Sequence, residues 1–359
     1  DPVRNYSAAI VLEQPLFNAD AWAGRTAAAS LSQASAVATR WIAIDTHLEI
    51  VRAYYAAILV TQEVATLDAA VRAAREHVRQ ADALVSNGLV TPSDALLAAV
   101  KAGEIETALL EAQGRAATAR LALAVTLGTP ADTAFTLPSA LPPREAIATL
   151  AREARHTDPR RARDDVASAQ LRHEAAERDV VRARSVYVPR VNSFARYDWN
   201  AAGQPFGGAK NWSVGIMASW TPFAGGSEIA ELEATGGRQL AADAQRRAVE
   251  ARAQLELEQT AVALDVGLAR LEIAQRSTQQ SADAHRIVSR KYAGGIATIV
   301  ELLDAAAAET SSQLGQANAR FALIVAIAER HRALGSDPAA LRALDEMSVA
   351  SESPNPNER

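Results

Sequence analysis

Hydrophobic positions along the chain follow two periods. From Asn211 to Trp220 they alternate: Trp212, Val214, Ile216, Ala218 and Trp220 share one parity, and Ser213, Gly215, Met217 and Ser219 the other. A period of two predicts a strand with unlike faces, and eight steps at about 3.3 Å cover roughly 26 Å. Upstream, Val191, Ser193, Ala195, Tyr197 and Trp199 lie on one parity, with Arg190, Asn192, Arg196 and Asp198 on the other. Asn200 to Lys210, rich in glycine and holding Pro205, reads as the turn of a hairpin. Near the start, Tyr6, Ala8, Ile10 and Leu12 repeat the alternation at positions equivalent to Trp212, Val214, Ile216 and Ala218.

Elsewhere the period is helical. Ile44, Leu48, Val51, Tyr55 and Ile58 are spaced as a coiled-coil seam, which Val71, Ala74, Val78, Ala81 and Val85 resume. About 70 residues of this pattern predict a helix on the order of 100 Å long, which needs partners along its whole length. Pro92 to Leu127 and Arg144 to Tyr187 predict two shorter helices, separated by the proline-rich Gly128 to Pro143. Placed end to end they match one long helix. The last helix, from Ile299 to Ala333, carries Leu314, Ala317, Phe321, Ile324 and Ala328 on one face and stops at Gly335. The tail from Ser336 reads as frayed or disordered.

One unit is written twice. Leu16-Phe17-Asn18 and Pro222-Phe223-Ala224 each close an alternating segment and precede a long alanine-rich stretch. Asn87-Gly88-Leu89-Val90-Thr91 and Gly294-Gly295-Ile296-Ala297-Thr298 interrupt those stretches at one constant offset. An acid and leucines follow each: Asp94-Ala95-Leu96-Leu97 and Glu301-Leu302-Leu303-Asp304. The predicted organisation is a strand (1–17), a helical hairpin (18–128), a linker (129–143), a helix (144–187), a strand hairpin (188–222), a second helical hairpin (223–335) and a tail (336–359). The fold class is mainly α, with long antiparallel hairpins and a few amphipathic strands. By the repeat, roughly 65 residues forming a helix and a strand, plus a signal peptide, are expected upstream of Asp1.

Composition narrows the function. Hydrophobic residues make up 49% of the chain but aromatics only 5%, which favours close-packed helices over a bulky core. A net charge of −5, with acids and bases mixed, leaves no basic stripe for nucleic acid. With no cysteine, thiol catalysis, thiolate metal sites and disulfides are excluded. The six histidines, at 47, 77, 156, 173, 285 and 331, show no i, i+4 pair, so no metal site is expected. Gly203 to Lys210 resembles a phosphate loop only superficially, since Ala209 breaks Gly-Lys and Asn211 stands where Ser or Thr is needed. Trp41, Tyr54 and Tyr55 read as packing residues. No nucleophile, base and orienter come together, so neither an enzyme nor a cofactor is expected. No stretch reaches about 18 uninterrupted apolar residues; Trp41 to Val60 carries Asp45, His47, Glu49 and Arg52.

If the chain crosses a membrane it does so as strands, whose span and aromatic ends suit an outer-membrane barrel. Trp212, Val214, Ile216, Ala218 and Trp220 then form a lipid-facing strand face. Three strands cannot close a barrel and open edges are not tolerated in hydrocarbon, so oligomerisation is expected. A soluble periplasmic coiled-coil scaffold, with the strands as a small capping sheet, remains the alternative.

Lys291-Tyr-Ala-Gly-Gly-Ile-Ala-Thr-Ile-Val-Glu-Leu-Leu-Asp-Ala305, with Ala317-Asn-Ala-Arg-Phe321 and Leu334-Gly335, is similar to the second hairpin signature of the TolC family of outer-membrane efflux proteins. Ser86-Asn-Gly-Leu-Val-Thr-Pro-Ser-Asp94 resembles the first. The resemblance implies a homotrimer with a twelve-stranded barrel in outer-membrane lipid of a Gram-negative bacterium, continued by a periplasmic helical tunnel. It also implies a passive export duct for multidrug efflux or type I secretion. Its implied partners are a periplasmic adaptor and an inner-membrane transporter of the RND, ABC or MFS class. Glu301 and Asp304 fall where the family carries acidic rings at the closed tunnel end; the first repeat offers Asp94 but has Leu97 opposite Asp304, so only the second hairpin is expected to carry the double ring. The i, i+3 spacing would gather copies of Glu301 and Asp304 near one axis, where some of their pKa values would rise; spacing alone favours a solvated helix face. Asn87, Gly88, Leu89, Val90 and Thr91, and Gly294, Gly295, Ile296, Ala297 and Thr298, are implied as adaptor-docking tips; by themselves they are equally helix stops.

Overall fold

The computed structural model describes residues 5–131, 133, 135–157, 163–202 and 208–337. The expected turn around Pro205 and the tail beyond Asp337 lie outside the described residues. In chain order the elements are β1 (Asn5–Phe17), α1 (Ala19–Ser86), α2 (Pro92–Thr126), α3 (Arg144–His156), α4 (Asp164–Arg184), a 3-10 turn (Ser185–Tyr187), β2 (Arg190–Ala202), β3 (Ala209–Ser219), α5 (Ser227–Ala293) and α6 (Ile299–Ala333). None of these helices is long and apolar enough to cross a membrane. The chain divides into two compact units: Asp1–Arg40 with Asp164–Arg252, and Trp41–Arg163 with Ala253–Arg359.

The first unit holds an antiparallel sheet in the order β1-β2-β3. Ile10 pairs with Tyr197 and Tyr197 with Trp212, while Leu12 pairs with Ala195 and Ala195 with Val214. Cross-strand partners share a face. The three alternations therefore merge into one apolar face that includes Tyr6, Ala8, Ile10 and Leu12, Tyr197 and Trp199, and Trp212 to Ala218. β3 ends at Ser219, so Trp220 stands just beyond the strand. The register slips between Pro15 and Phe17, where a proline without an N–H interrupts the ladder. On the other face Asn192 donates to Glu13 Oε1 at 2.5 Å and Arg196 Nε donates to Asp198 Oδ1 at 2.7 Å. Phe194 covers Gly215 on that same face, its ring 3.1 Å from where a Cβ would stand.

Helical segments of the same unit are joined by Arg40, whose guanidinium meets both Asp164 carboxylate oxygens at 3.1 Å, and by Ser168 Oγ donating to the Ala34 carbonyl at 3.0 Å. Gly24 lets Arg182 approach. Ahead of α5, Gly225 and Gly226 take φ of 69° and 88°, and Glu228 accepts from the Ala224 N–H.

The second unit is built on the predicted seams. Leu48, Tyr55, Ile58, Val71, Ala74 and Ala81 are buried, as are Ala317, Ile324 and Ala328 of α6. α3 inserts Ile147, Ala151 and Ala154 among Tyr55, Ile58, Leu264, Leu271, Leu323, Ile324 and Ile327. Gly267 leaves room for Leu323 there, because a Cβ would stand 2.9 Å from Leu323 Cδ1 and press on it. Leu137 and Leu141 tie the proline-rich linker to this core, and the Leu141 N–H donates to Gln62 Oε1 at 3.1 Å. Trp41 lies between Arg163 and Arg332, each 4.7 Å from its ring centroid, and Glu256 pairs with both guanidiniums.

The helix expected over Arg144 to Tyr187 is two helices, α3 and α4, followed by the 3-10 turn. The sequence between them holds Pro159, which lacks an N–H and disfavours helix in the residue before it. Residues 158–162 themselves lie outside the described residues.

Candidate functional site

Each hairpin tip is built by local chemistry used twice. At the end of α1, Gly88 takes φ 70°; its N–H donates to the Val85 carbonyl and that of Leu89 to the Leu84 carbonyl. At the end of α5, Gly295 takes φ 73°; its N–H donates to Tyr292 and that of Ile296 to Lys291. This paired bonding ends a helix on a left-handed residue, which glycine adopts without strain. Gly294 does not share the positive φ and serves as the residue before the turn. The next helix then starts on threonine. Thr298 Oγ1 accepts from the Glu301 N–H at 3.2 Å, while Glu301 Oε2 accepts from the Thr298 N–H at 2.7 Å. At the first tip Asp94 Oδ2 accepts from the Thr91 N–H and hydroxyl, both at 3.0 Å. Asp94 and Glu301 are thus the same capping residue of two repeats.

Beneath the tips, Ala81, Ala98, Tyr292, Ile299 and Leu302 form a small core to which Leu97 and Leu303 are packed. The tip side chains Leu89 and Ile296 are left outside it, 70% and 80% exposed. Burial, with Asp94 nearby, raises the pKa of the Tyr292 phenol, whose hydroxyl has no partner. The Thr298 N–H and hydroxyl hold the Glu301 carboxyl below its ordinary value, with Lys291 adding to the effect. Within one chain this is opposite to the rise expected for a carboxylate ring, which needs the carboxylates of further copies.

Glu301 and Asp304 are both exposed, one helical turn apart. Asp304 also borders a cavity of about 410 Å³, lined by Thr66, Ala70 and His77 of α1, Lys101 and Glu104 of α2, His285 of α5 and Glu309 of α6. Lys101 Nζ donates to Glu104 Oε2 at 2.8 Å, and these two acids raise its pKa, Glu104 foremost. The structure brings Glu301 and Asp304 together and gives Asp94 a capping place in the other hairpin. It also sets Lys101 beside Asp304, which spacing along the chain did not indicate. Among the described residues no three His, Asp or Glu side chains converge as metal ligands.

In the first unit the apolar sheet face is open. Ile10, Leu12, Trp212, Val214 and Ile216 are each at least two-thirds exposed, and Trp220 is 58% exposed beyond the strand end. A patch of this kind marks a surface covered by something other than water.

The outer membrane efflux protein family matches residues 1–129 and 160–336, and the chain belongs to that family. Its members are outer-membrane channels rather than enzymes, which places this chain in the outer membrane as an efflux channel. The outer membrane protein VceC from Vibrio cholerae is similar in fold, with a TM-score of 0.77 and 22% identity over 93% of this chain and 87% of that one. The CmeC outer membrane channel of Campylobacter jejuni gives 0.75 at 15% identity, covering 97% and 81%. The Neisseria gonorrhoeae MtrE outer membrane channel gives 0.74 at 16%, covering 94% and 81%. No curated protein matches in sequence.

Proposed function

We propose that three copies of this chain close a single β-barrel and continue it as a helical duct. The duct's tips dock a periplasmic adaptor linked to an inner-membrane transporter, in drug efflux or type I secretion. The observation that carries this reading is the sheet of β1, β2 and β3, apolar on one exposed face and polar on the other, with β1 and β3 as its edges. Such edges and such a face are stable in a bilayer only when further strands complete the wall. Trp212, Val214, Ile216 and Ala218, with Trp220 at the rim, are then its lipid side, and Arg190, Asn192, Arg196 and Asp198 its water side. An apolar face this open also weighs against a soluble scaffold.

Leu89 and Ile296, held outside the tip core by rigid turns, support residues 87–91 and 294–298 as the adaptor surface. Glu301 and Asp304, repeated by three copies, would ring the duct end and attract cations. The helical hairpins (18–128 and 223–335) form the duct wall and the linker 129–143 braces it. The chain acts as a passive conduit, and the energy comes from the transporter.

The test is reconstitution. Detergent-purified chain in planar bilayers is expected to show discrete conductance steps, and chemical cross-linking to trap trimers. A detergent-free soluble monomer without conductance would sink the reading.

A further inference from the structure

His77 is buried to 6% exposure on α1, yet neither of its ring nitrogens has a hydrogen-bond partner. A buried imidazole with both nitrogens unsatisfied is costly, and it costs far more once charged. Its neighbour across the gap between the hairpins is His285 of α5, the two rings meeting edge to face with centroids 5.7 Å apart. His285 is in turn fixed by α6, its Nδ1 lying 2.5 Å from Glu309 Oε2, while its Nε2 has no partner. All three side chains line the 410 Å³ cavity, which gives water a place to gather if the helices part. The stack therefore runs from the first repeat, through His77, to the second, through His285 and Glu309.

We propose that the His77–His285–Glu309 stack is an acid-sensitive latch between the two helical hairpins, holding α1 against α5 while His77 is neutral and releasing them when it takes a proton. The charged and titratable groups around His77 are Glu76 on its own helix, Lys101 and Glu104 on α2, His285 on α5, and Asp304 and Glu309 on α6. Burial lowers the His77 pKa, and charge on His285 lowers it further. The Gln80 side chain beside the ring and the Glu76 carboxylate act in the opposite direction and to a lesser extent. Lys101 adds positive charge to the same cavity. The sign follows. The packed state holds His77 below the roughly 6.5 of a free histidine. The latch is fully closed above about that pH and weakens as pH falls below it, because the proton binds the opened state more tightly. An adaptor or transporter is not required for this, and a chain that failed to conduct would leave the titration intact.

The chain's lack of cysteine makes a direct test simple. Leu89→Cys and Ile296→Cys place spin labels on the two tips of one chain, diluted into unlabelled full-length chain so that only intrachain pairs are read. Between pH 8 and pH 5 the tip-to-tip distance distribution is expected to lengthen and broaden, with a midpoint below 6.5, and the shift is expected to vanish in His77→Phe. An unchanged distribution in the parent chain, or the same shift in His77→Phe, would overturn the latch. A second measurement needs no variant: exchange of the imidazole C2 hydrogen, followed by mass spectrometry, titrates each histidine in the parent chain. His77 is expected to titrate below 6.5 in step with the distance change. Titration at or above 6.5 would overturn the proposal even if His77→Phe failed to fold.

Discussion

Replacing Glu301 by Gln removes its charge but keeps a side chain that can close the capping box with Thr298. Asp304 makes no capping bond, so Asp304→Asn removes charge without touching a helix start. The double variant therefore separates electrostatics from folding, and block by multivalent cations in single-channel recordings is expected to weaken several-fold while assembly is unchanged. Unaltered block would take these carboxylates out of the gate. The pH dependence has a definite sign. Because the Thr298 N–H and hydroxyl hold the Glu301 carboxyl below its ordinary range, its charge and its cap are present above that range and are lost only as pH falls through the lowered value. In the single chain the cap is accordingly expected to persist to a lower pH than a free carboxylate would allow, which a carbon-13 NMR titration of the Glu301 carboxyl checks. Glu301, Asp304 and Asp94 were legible as candidates because an acid and leucines recur after each glycine turn, whereas the capping bonds of Asp94 and Glu301 to Thr91 and Thr298 emerged only in the structure. Lys101 beside Asp304 was not legible, because α2 and α6 are brought together only by packing.

At the scale of elements, the hairpins depend on a few close approaches more than on helix propensity. Gly267→Ala should gain about 1 kcal/mol of helix propensity. Against this, its new Cβ would press on the fully buried Leu323, and overpacking of this kind costs about 1–3 kcal/mol. Net destabilisation is expected, seen as a lower midpoint in thermal unfolding followed by helical circular dichroism. Ile327→Ala, which empties space in the same core, should cost more, about 2–5 kcal/mol. A Gly267→Ala chain that melts higher than its parent would mean that Leu323 has room to move. The seams through Leu48, Tyr55 and Ile58 and through Ala317, Ile324 and Ala328 could be read from spacing, since a 3.6-residue period fixes which side of a helix is apolar. The split between α3 and α4 is not visible in the periodicity, because helical spacing holds on either side of Pro159.

For the whole molecule, the decisive question is what covers the sheet. Val214 sits mid-strand on the exposed apolar face, paired with Ala195. Arginine at the middle of a bilayer-facing strand costs about 2–4 kcal/mol, and that cost recurs in every copy of an oligomer. Val214→Arg is thus expected to deplete assembled channel from the outer-membrane fraction, whereas Met217→Arg on the opposite face, across from uncharged Asn192, should be tolerated. Equal recovery of the two variants would contradict the lipid-facing assignment.

The sequence by itself determined the local features: the parities of three strands, the seams of the long helices, the two glycine turns and the threonine-acid helix starts. Each is set by residues within a few positions of one another, where backbone geometry leaves little choice. Only the tertiary structure decided which faces meet. The strand register that merges the three apolar parities, the Arg163 and Arg332 clasp on Trp41, and the meeting of His77 with His285 all depend on the stagger and rotation of elements distant in the chain. Spacing along a chain fixes the period of a helix but not its phase against a neighbour, and it is the phase that makes these contacts.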